Sequence, residues 1–530
     1  MEFAPKKKKI LYNSAMAKYD VIVVGAGNAG LSAALQMALS GKKVLILEQH
    51  NLPGGCATSF RRGRFEIEPS LHELCDLGPA ENPGSTRKLF DEYGINVEWA
   101  NVKDCFRAVS KYSDGSPMDV TMPCGTQNFI DKMEFYVPGS RKKMIELFEL
   151  LDEILDGIHF VSEAHGKASG KVLMEKFPNM LKTGAYSTEK VFKAIGLPRK
   201  CRDIMSVYWP YLGVDTKHLP FIHYAAMIQK YIERGAYIPQ HTSHEISVKM
   251  TERFRELGGE IYFNCKAQKF LFKDNKIYAV QTNCGIFECN CVLANINPEI
   301  IYGKMIDKNL VPEREKKLST ARNRNFGGRM ITAYFCLDES AENLGIKDYS
   351  IFLMKSANSS KEYKNIMRGF NKNDFSIFLC YNVANPNASP KGTCIVSFTT
   401  FASPKEWENL SQENYFDFKN KFATKFVESL REKTGIDISN HIEEMSVASP
   451  WTFARYLNVP EGSVYGYEAK DWDGMMARMM MLKNDYQSYK IKGLFPIGAS
   501  GPRGDGYNMT YIAGQTIAKI ALKEISSGQL

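Results

Sequence analysis

The sequence has no run of about 18 apolar residues, the length a bilayer-spanning helix needs. Nothing in it therefore reads as a membrane span. No secretory leader is expected either: the basic start, Lys6 to Lys9, is followed by "ILYNSAMA", too short and too polar for an apolar leader core. Twelve cysteines in 530 residues do not make a disulfide scaffold. Without a leader they are expected as reduced thiols in a cytoplasm. Cys284, Cys289 and Cys291 lie in alternating, strand-like sequence with no histidine nearby, so no metal centre is expected. Charge of one sign is also in short supply. The net charge is +9, and Lys6 to Lys9 supply four of those charges. A balance this mild argues against a nucleic-acid partner. The basic tail, 1–17, reads as a solvated terminus. Its second reading is attraction to an anionic membrane surface, a peripheral contact for a cytoplasmic protein. No internal repeat is present, and no low-complexity tract beyond the lysines.

What is present is ordinary globular material: 44% hydrophobic and 24% charged residues, enough for a large core and for two or more domains. The informative stretch is "KYDVIVVGAGNAGLSAALQMALSGKKVLILEQH", which reads as strand, tight turn, helix and strand. Val21 to Val24 are apolar and β-branched, as in a strand buried on both faces. Gly25 permits the turn, Gly27 lets backbone approach a pyrophosphate, and Gly30 lets the helix pack on the strand. The helix continues to Leu39 and Gly41 ends it. Its exposed N–H groups favour a phosphate. Glu48 closes the second strand, eighteen residues past Gly30. There an acid accepts hydrogen bonds from a ribose diol. NAD and FAD both suit this unit.

The segment after the acid, "NLPGGCATSFRRGRFEIEPSLHEL", resembles the second glycine motif of the large flavoprotein group that contains amine oxidases and phytoene desaturases. The resemblance continues through "MSVYWPYLGVDTKHLPFIHYAAMIQKYIERGAYIP" and "FRELGGEIYFNCKAQKFLFKDNKIYAVQTNCGIFECNCVLANINPEIIYGKM". It extends to "SPWTFARYLNVPEGSVYGYE" and "GLFPIGASGPRGDGYNMTYIAGQTIAKIAL". Five motifs in order over most of the chain are similar to phytoene desaturases, carotenoid isomerases and retinol saturases, within the amine oxidase-like superfamily. That resemblance implies FAD as cofactor. It places Gly54 and Gly55 beside the ribityl-phosphate; Arg61 or Arg62 then either balances phosphate charge or stands free on the surface. It places Ala267 at the adenine and Asn295 at a strand end beside the cofactor. Gly498, Ala499, Gly506, Tyr507, Asn508 and Met509 fall at the flavin ring. Crowded glycines before the apolar helix "MTYIAGQTIAKIAL" suit a flat ring that gains negative charge on reduction. The implied fold class is α/β, a discontinuous Rossmann-like FAD domain of the glutathione reductase type plus a mixed-sheet and helical substrate domain. The FAD domain is expected at 18–110, 225–300 and 445–530, and the substrate or lid domain at 111–224 and 301–444.

Within the substrate domain, "MITAYFCL", "DFSIFLCYN" and "GTCIVSFTTF" read as antiparallel strands. The piece near 140–224 reads as helical. There Ile145, Phe148, Leu151 and Ile154 form an apolar stripe, either core packing or a lid dipping into a membrane. "MSVYWPYLGV" is the stronger lid candidate.

Two departures from the family pattern stand out. The last motif has Gly498-Ala499 in place of Gly-Asp, leaving Ser500 or backbone for the ribityl contact. The central motif is "IPQHTSH" in place of Pro-x-Gly-Gly, which puts a titratable imidazole, His241, near the flavin or on an ordinary loop. No second nucleotide-binding glycine triplet follows a strand, so direct reduction by NAD(P)H is not expected. A quinone, oxygen or a reduced carrier then exchanges electrons, unless the enzyme is an isomerase. Tyr507, His241 and His72 are candidate proton donors. Arg503 is a candidate clamp for a substrate carboxylate, or a partner of Asp505 or Glu68. The resulting expectation is an oxidoreductase that desaturates, saturates or isomerises a C=C bond in an apolar molecule such as a polyene, fatty acid or steroid. A flavin amine oxidase and a flavin-free prenyl-binding escort protein are the alternatives. No oligomeric state can be read.

Overall fold

A computed structural model describes residues 18–164, 167–322, 326–468, 491–499, 504 and 506–528. The lysine tail, Ser500, Gly501, Arg503 and Asp505 lie outside the described residues. Among the described residues, no helix is long and apolar enough to cross a membrane.

The chain builds two seven-stranded sheets. In the first, Glu260–Tyr262, Val44–Leu47, Tyr19–Val24 and Gly285–Ala294 run parallel, with Leu494–Pro496 parallel to the last of these. The strand Gly285–Ala294 serves two structures. Its C-terminal half pairs with Tyr19–Val24, and its N-terminal half pairs antiparallel with Lys276–Thr282 in a meander that includes Ala267–Lys273. Val21 to Val24 and Leu45 to Leu47 are buried, because helices cover one face of the sheet and the meander covers the other. Two of those helices, Asn28–Leu39 and the C-terminal Tyr507–Ser526, pack on each other, and Ser32 Oγ donates to Tyr511 O at 2.6 Å.

The second sheet has the order Ile442–Ala448, Met330–Leu337, Cys394–Phe401, Ser376–Cys380, Ser350–Leu353, Asp104–Lys111 and Pro117–Pro123. All three expected strands are in it, antiparallel as read. Alternation along Met330–Leu337 divides two cores. Ile331, Ala333, Phe335 and Leu337 pack beneath the helix Tyr415–Thr434, and Met330, Tyr334 and Cys336 face the helical layer. The hairpin Asp104–Lys111/Pro117–Pro123 belongs to this sheet through parallel pairing with Ser350–Leu353. The expected division at residue 110 thus falls inside one hairpin, and that at 445 inside the strand Ile442–Ala448.

The helical layer runs from Thr126–Tyr136 to Phe221–Arg234. In its long helix, Arg141–Glu163, the buried face carries Met144, Leu147, Phe148, Leu151 and Ile154, whereas Ile145 is 42% exposed. The stripe is therefore core packing, with Met144 in the place expected for Ile145. The lid reading of "MSVYWPYLGV" fails for a similar reason. Val207, Tyr208 and Trp209 are buried in a short 3₁₀ helix, Ser206–Leu212, with Trp209 packed against Tyr363, Phe375 and Phe401.

Candidate active site

The chain leaves the first strand and turns at Gly25, whose φ is +96°. The Gly25 N–H donates to Leu47 O at 2.8 Å and ties the turn to the second strand. The helix Asn28–Leu39 follows, with Gly27 as its N-cap and no side chain capping it. Its first N–H groups remain available for an anion. A side chain at Gly30 would overlap the Gly25 carbonyl oxygen, so glycine alone allows the helix this close to the turn. Asn295 closes the far side, and its N–H donates to Val24 O at 2.8 Å.

Glu48 does more than end a strand. Its Oε2 accepts from the Ala26 N–H and its Oε1 from the His50 N–H, both at 2.7 Å. Burial pushes its carboxyl above the usual carboxylate range, and these N–H groups pull the other way. Each oxygen retains a lone pair for a ribose hydroxyl.

A cavity of about 510 Å³ opens on this turn. Gly25, Gly27, Glu48, Gly54, Gly55, Ala267, Asn295 and Ala499 all line it. Gly30 and Gly498 stand behind the lining. A side chain at Gly498 would strike Asn295 Oδ1. A second cavity, of about 280 Å³, shares Asn28, Cys56, Ala499 and Thr510 with the first and adds Gly506, Tyr507, Asn508 and Met509. The two form one trough, with the start of a long helix at each end, Gly27 and Gly506. Asn28 Oδ1 is buried on this trough and has no partner among the described residues. An extended dinucleotide fits these features: backbone donors, glycine walls and an unspent acceptor. Arg62 borders a third cavity, of about 550 Å³, beside Glu48, Gly55 and Cys56. Its guanidinium donates to Arg61 O and lies over Phe60.

Of the proton-donor candidates, Tyr507 is on the trough. Its hydroxyl lies 2.9 Å from Ser70 Oγ and 3.3 Å from Ser243 Oγ, and burial pushes its phenol far up. His72 lines the same second cavity, where burial depresses its imidazole to about 4 and keeps it neutral. His241 is elsewhere. It is exposed and lines a separate cavity with Arg61, Glu66 and Gln240. The cause is its neighbour Ser243, whose N–H and hydroxyl are both drawn inward to Glu68, at 2.6 and 2.9 Å. Arg503 lies outside the described residues.

Three further features stand out beside the expected cofactor-binding and proton-donor residues. Glu68 is buried and accepts from the N–H groups of Ser70, Leu71 and Ser243 and from the Ser243 hydroxyl. Glu73 is buried in the second cavity. The helix Pro450–Leu457 and the turn after it supply Tyr456, Asn458, Ser463 and Val464 to the first cavity. Only this last feature left a sequence signal, in "SPWTFARYLNVPEGSVYGYE".

Comparison with known proteins agrees with this geometry. Residues 23–93 match the model of an NAD(P)-binding Rossmann-like domain. The chain is 23% identical over 504 residues to all-trans-retinol 13,14-reductase of Danio rerio, covering 87% of this chain and 80% of that protein. It is 22% identical to a 1-hydroxycarotenoid 3,4-desaturase of Flavobacterium sp., covering 94% and 98%. Over most of its length the chain is thus similar to a retinol 13,14-reductase and a carotenoid desaturase. The fold of this group extends to amine oxidases: cyclohexylamine oxidase of Brevibacterium oxydans superposes with a TM-score of 0.62 at 12% identity, over 96% of this chain and 100% of that one. These relationships support FAD as the cofactor and make the protein an oxidoreductase.

Proposed function

We propose that the protein transfers hydrogen to or from a carbon–carbon bond of an apolar, polyene-like substrate, using FAD laid along the trough. In this reading the pyrophosphate rests on the Gly25–Gly30 turn and helix start, with Gly54 and Gly55 opposite. Glu48 holds the ribose and Ala267 the adenine. Asn295 and Gly498 close the wall, and the ring lies at Ala499, Gly506, Tyr507, Asn508 and Met509. Bound there, FAD supplies hydride and electron chemistry. The chain supplies orientation, an apolar slot and proton control.

One observation carries the reading. The second cavity, at the ring end, is walled by Met227, Met330, Tyr465 and Phe453, yet opens directly onto the C-terminal helix start. Such a slot suits an extended hydrocarbon better than an amine. The intact phosphate turn and Glu48 argue against a flavin-free escort protein. Electrons pass to or from a quinone, oxygen or a reduced carrier, unless the net reaction is isomerisation.

The test is direct. Purified protein is expected to be yellow, and after anaerobic photoreduction to be reoxidised by a polyene or conjugated enone, or by a quinone. Mass spectrometry of copurified apolar molecules gives the substrate class. Colourless folded protein that does not take up added FAD overturns the proposal. So does rapid reduction of the oxidised flavin by amines alone, with oxygen as the reoxidant.

A further inference from the structure

We propose that Glu73 is the acid–base residue of the second cavity, its Oε2 giving a proton to, or taking one from, a substrate carbon. This rests on the C=C reading above. Glu73 precedes the short strand Leu74–Cys75, which pairs with Ala236–Pro239 and holds the segment against the cavity wall. It is 5% exposed. Oε1 accepts from the Tyr211 hydroxyl at 2.8 Å, and Oε2 is buried with no partner among the described residues. A buried carboxyl oxygen left unmatched in a cavity is costly unless it carries a proton or meets a ligand.

The titratable groups around it do not ionise it. His72 and Cys75 stand on its own segment, and Tyr208 and Tyr211 come from the 3₁₀ helix. His223, Lys230 and Tyr231 come from Phe221–Arg234, and Cys105, Tyr349 and Tyr381 from the second sheet and its edge. Burial keeps these thiols and phenols protonated. The Lys230 ammonium is committed to Asp76 at 2.8 Å. Burial raises the Glu73 carboxyl to about 8, against the opposing Tyr211 hydrogen bond. The other candidates are worse placed for the task. The Tyr507 hydroxyl is held between two serines, His72 carries no spare proton at neutral pH, and both oxygens of Glu68 are bonded.

In the reductive direction, one alkene carbon takes a hydride from reduced FAD and the other takes the proton as the Glu73 Oε2–H bond breaks. The flavin ends oxidised and Glu73 ends as a carboxylate, which water reprotonates. Desaturation is the reverse, with oxidised FAD accepting the hydride and the carboxylate the proton.

The experiment compares full-length wild-type holoenzyme with Glu73→Gln and Tyr211→Phe, with bound-flavin absorbance as the check on folding. Infrared difference spectra across about pH 8 are expected to show a carboxylic-acid C=O band that is missing in Glu73→Gln and titrates at higher pH in Tyr211→Phe. The enzyme is then reduced with dithionite and mixed with retinol, a carotenoid or a conjugated enone. Reoxidation by the alkene is expected to slow by about 100-fold or more in Glu73→Gln, and to slow far less with benzoquinone, which needs no proton on carbon. The inference alone falls if the band persists in Glu73→Gln, or if that variant reacts with the alkene as fast as wild type. If wild-type enzyme reacts with benzoquinone and with none of the alkenes, the C=C reading falls and takes this inference with it.

Discussion

The two ends of the trough are built by opposite means. At the end proposed for the phosphates the wall is backbone: Gly25, Gly27, Gly54 and Gly55, with Glu48 binding the Ala26 N–H. At the ring end the wall is side chain, and it comes from distant segments: Glu73, Tyr211, Lys230, Met330, Thr399 and Tyr507. The first end tolerates almost no added atom. The second can be altered one side chain at a time without touching the cradle. A fold divided in this way lets the reaction diverge while the cradle is kept; a reductase and a desaturase stand among the relatives.

The harshest way to sharpen that contrast is Gly30→Val. The new side chain would run into the Gly25 carbonyl oxygen and push the helix off the turn. Overpacking of this kind costs about 1–3 kcal/mol or more, and here it also dismantles the phosphate site. Purified Gly30→Val is expected to be colourless, with a lower melting temperature that added FAD does not restore. Retained flavin absorbance would show that the cradle is more forgiving than its packing.

The same contrast explains what the sequence could disclose. A phosphate turn is local: its glycines and Glu48 lie within one short strand–turn–helix–strand unit, and each answers to a backbone demand visible in the pattern. Ring-end chemistry is tertiary. Glu73 reads in isolation as one more solvated acid, and only the fold removes it from water. The expected boundary at residue 110 cuts the hairpin Asp104–Lys111/Pro117–Pro123, because its sheet partner, Ser350–Leu353, lies far along the chain. His241 was placed by its motif, but Ser243 turns inward to Glu68 and leaves the imidazole outside. Ile145 misled by about one helical position, Met144 being the residue on the buried face.

Glu73 offers the next largest effect, and it tests the ring end through stability. Its folded carboxyl titrates at about 8 against an ordinary value of 4.5. Between those two pH values the folded state holds a proton that the unfolded state has lost. Wild-type stability therefore falls as pH rises through that window, by up to about 1.4 kcal/mol per pH unit, and levels off above about 8. Glu73→Gln lacks this proton. Denaturant melts of the two proteins are expected to diverge in favour of the variant as pH increases from about 5 to about 8. Parallel curves would mean that Glu73 is ionised in the folded protein.

Glu48→Gln probes the cradle more gently. Glu48 accepts from two backbone N–H groups, one on each oxygen. A glutamine accepts with only one, and its NH₂ must face the N–H of either Ala26 or His50. A buried donor left unmatched costs about 1–3 kcal/mol. Melting temperature and FAD affinity, measured by fluorescence titration of the apoprotein, are expected to fall together. A loss confined to affinity would place the whole effect on the ribose contact.

His241→Ala has the smallest expected effect, and it asks whether the ring end begins where the motif or the fold places it. The imidazole is exposed beside Arg61 and Glu66, away from the trough residues Tyr507 and Ala499. Surface substitutions of this kind stay within about 0.5 kcal/mol. Flavin spectrum, photoreduction and alkene-driven reoxidation are expected to match wild type. Ser243→Ala in the neighbouring position removes a hydroxyl from the buried carboxylate of Glu68 and from the Tyr507 hydroxyl, so it serves as the inward control. If His241→Ala perturbs the flavin spectrum and Ser243→Ala does not, the loop faces the cofactor in the opposite sense, and the ring end must be redrawn around the imidazole.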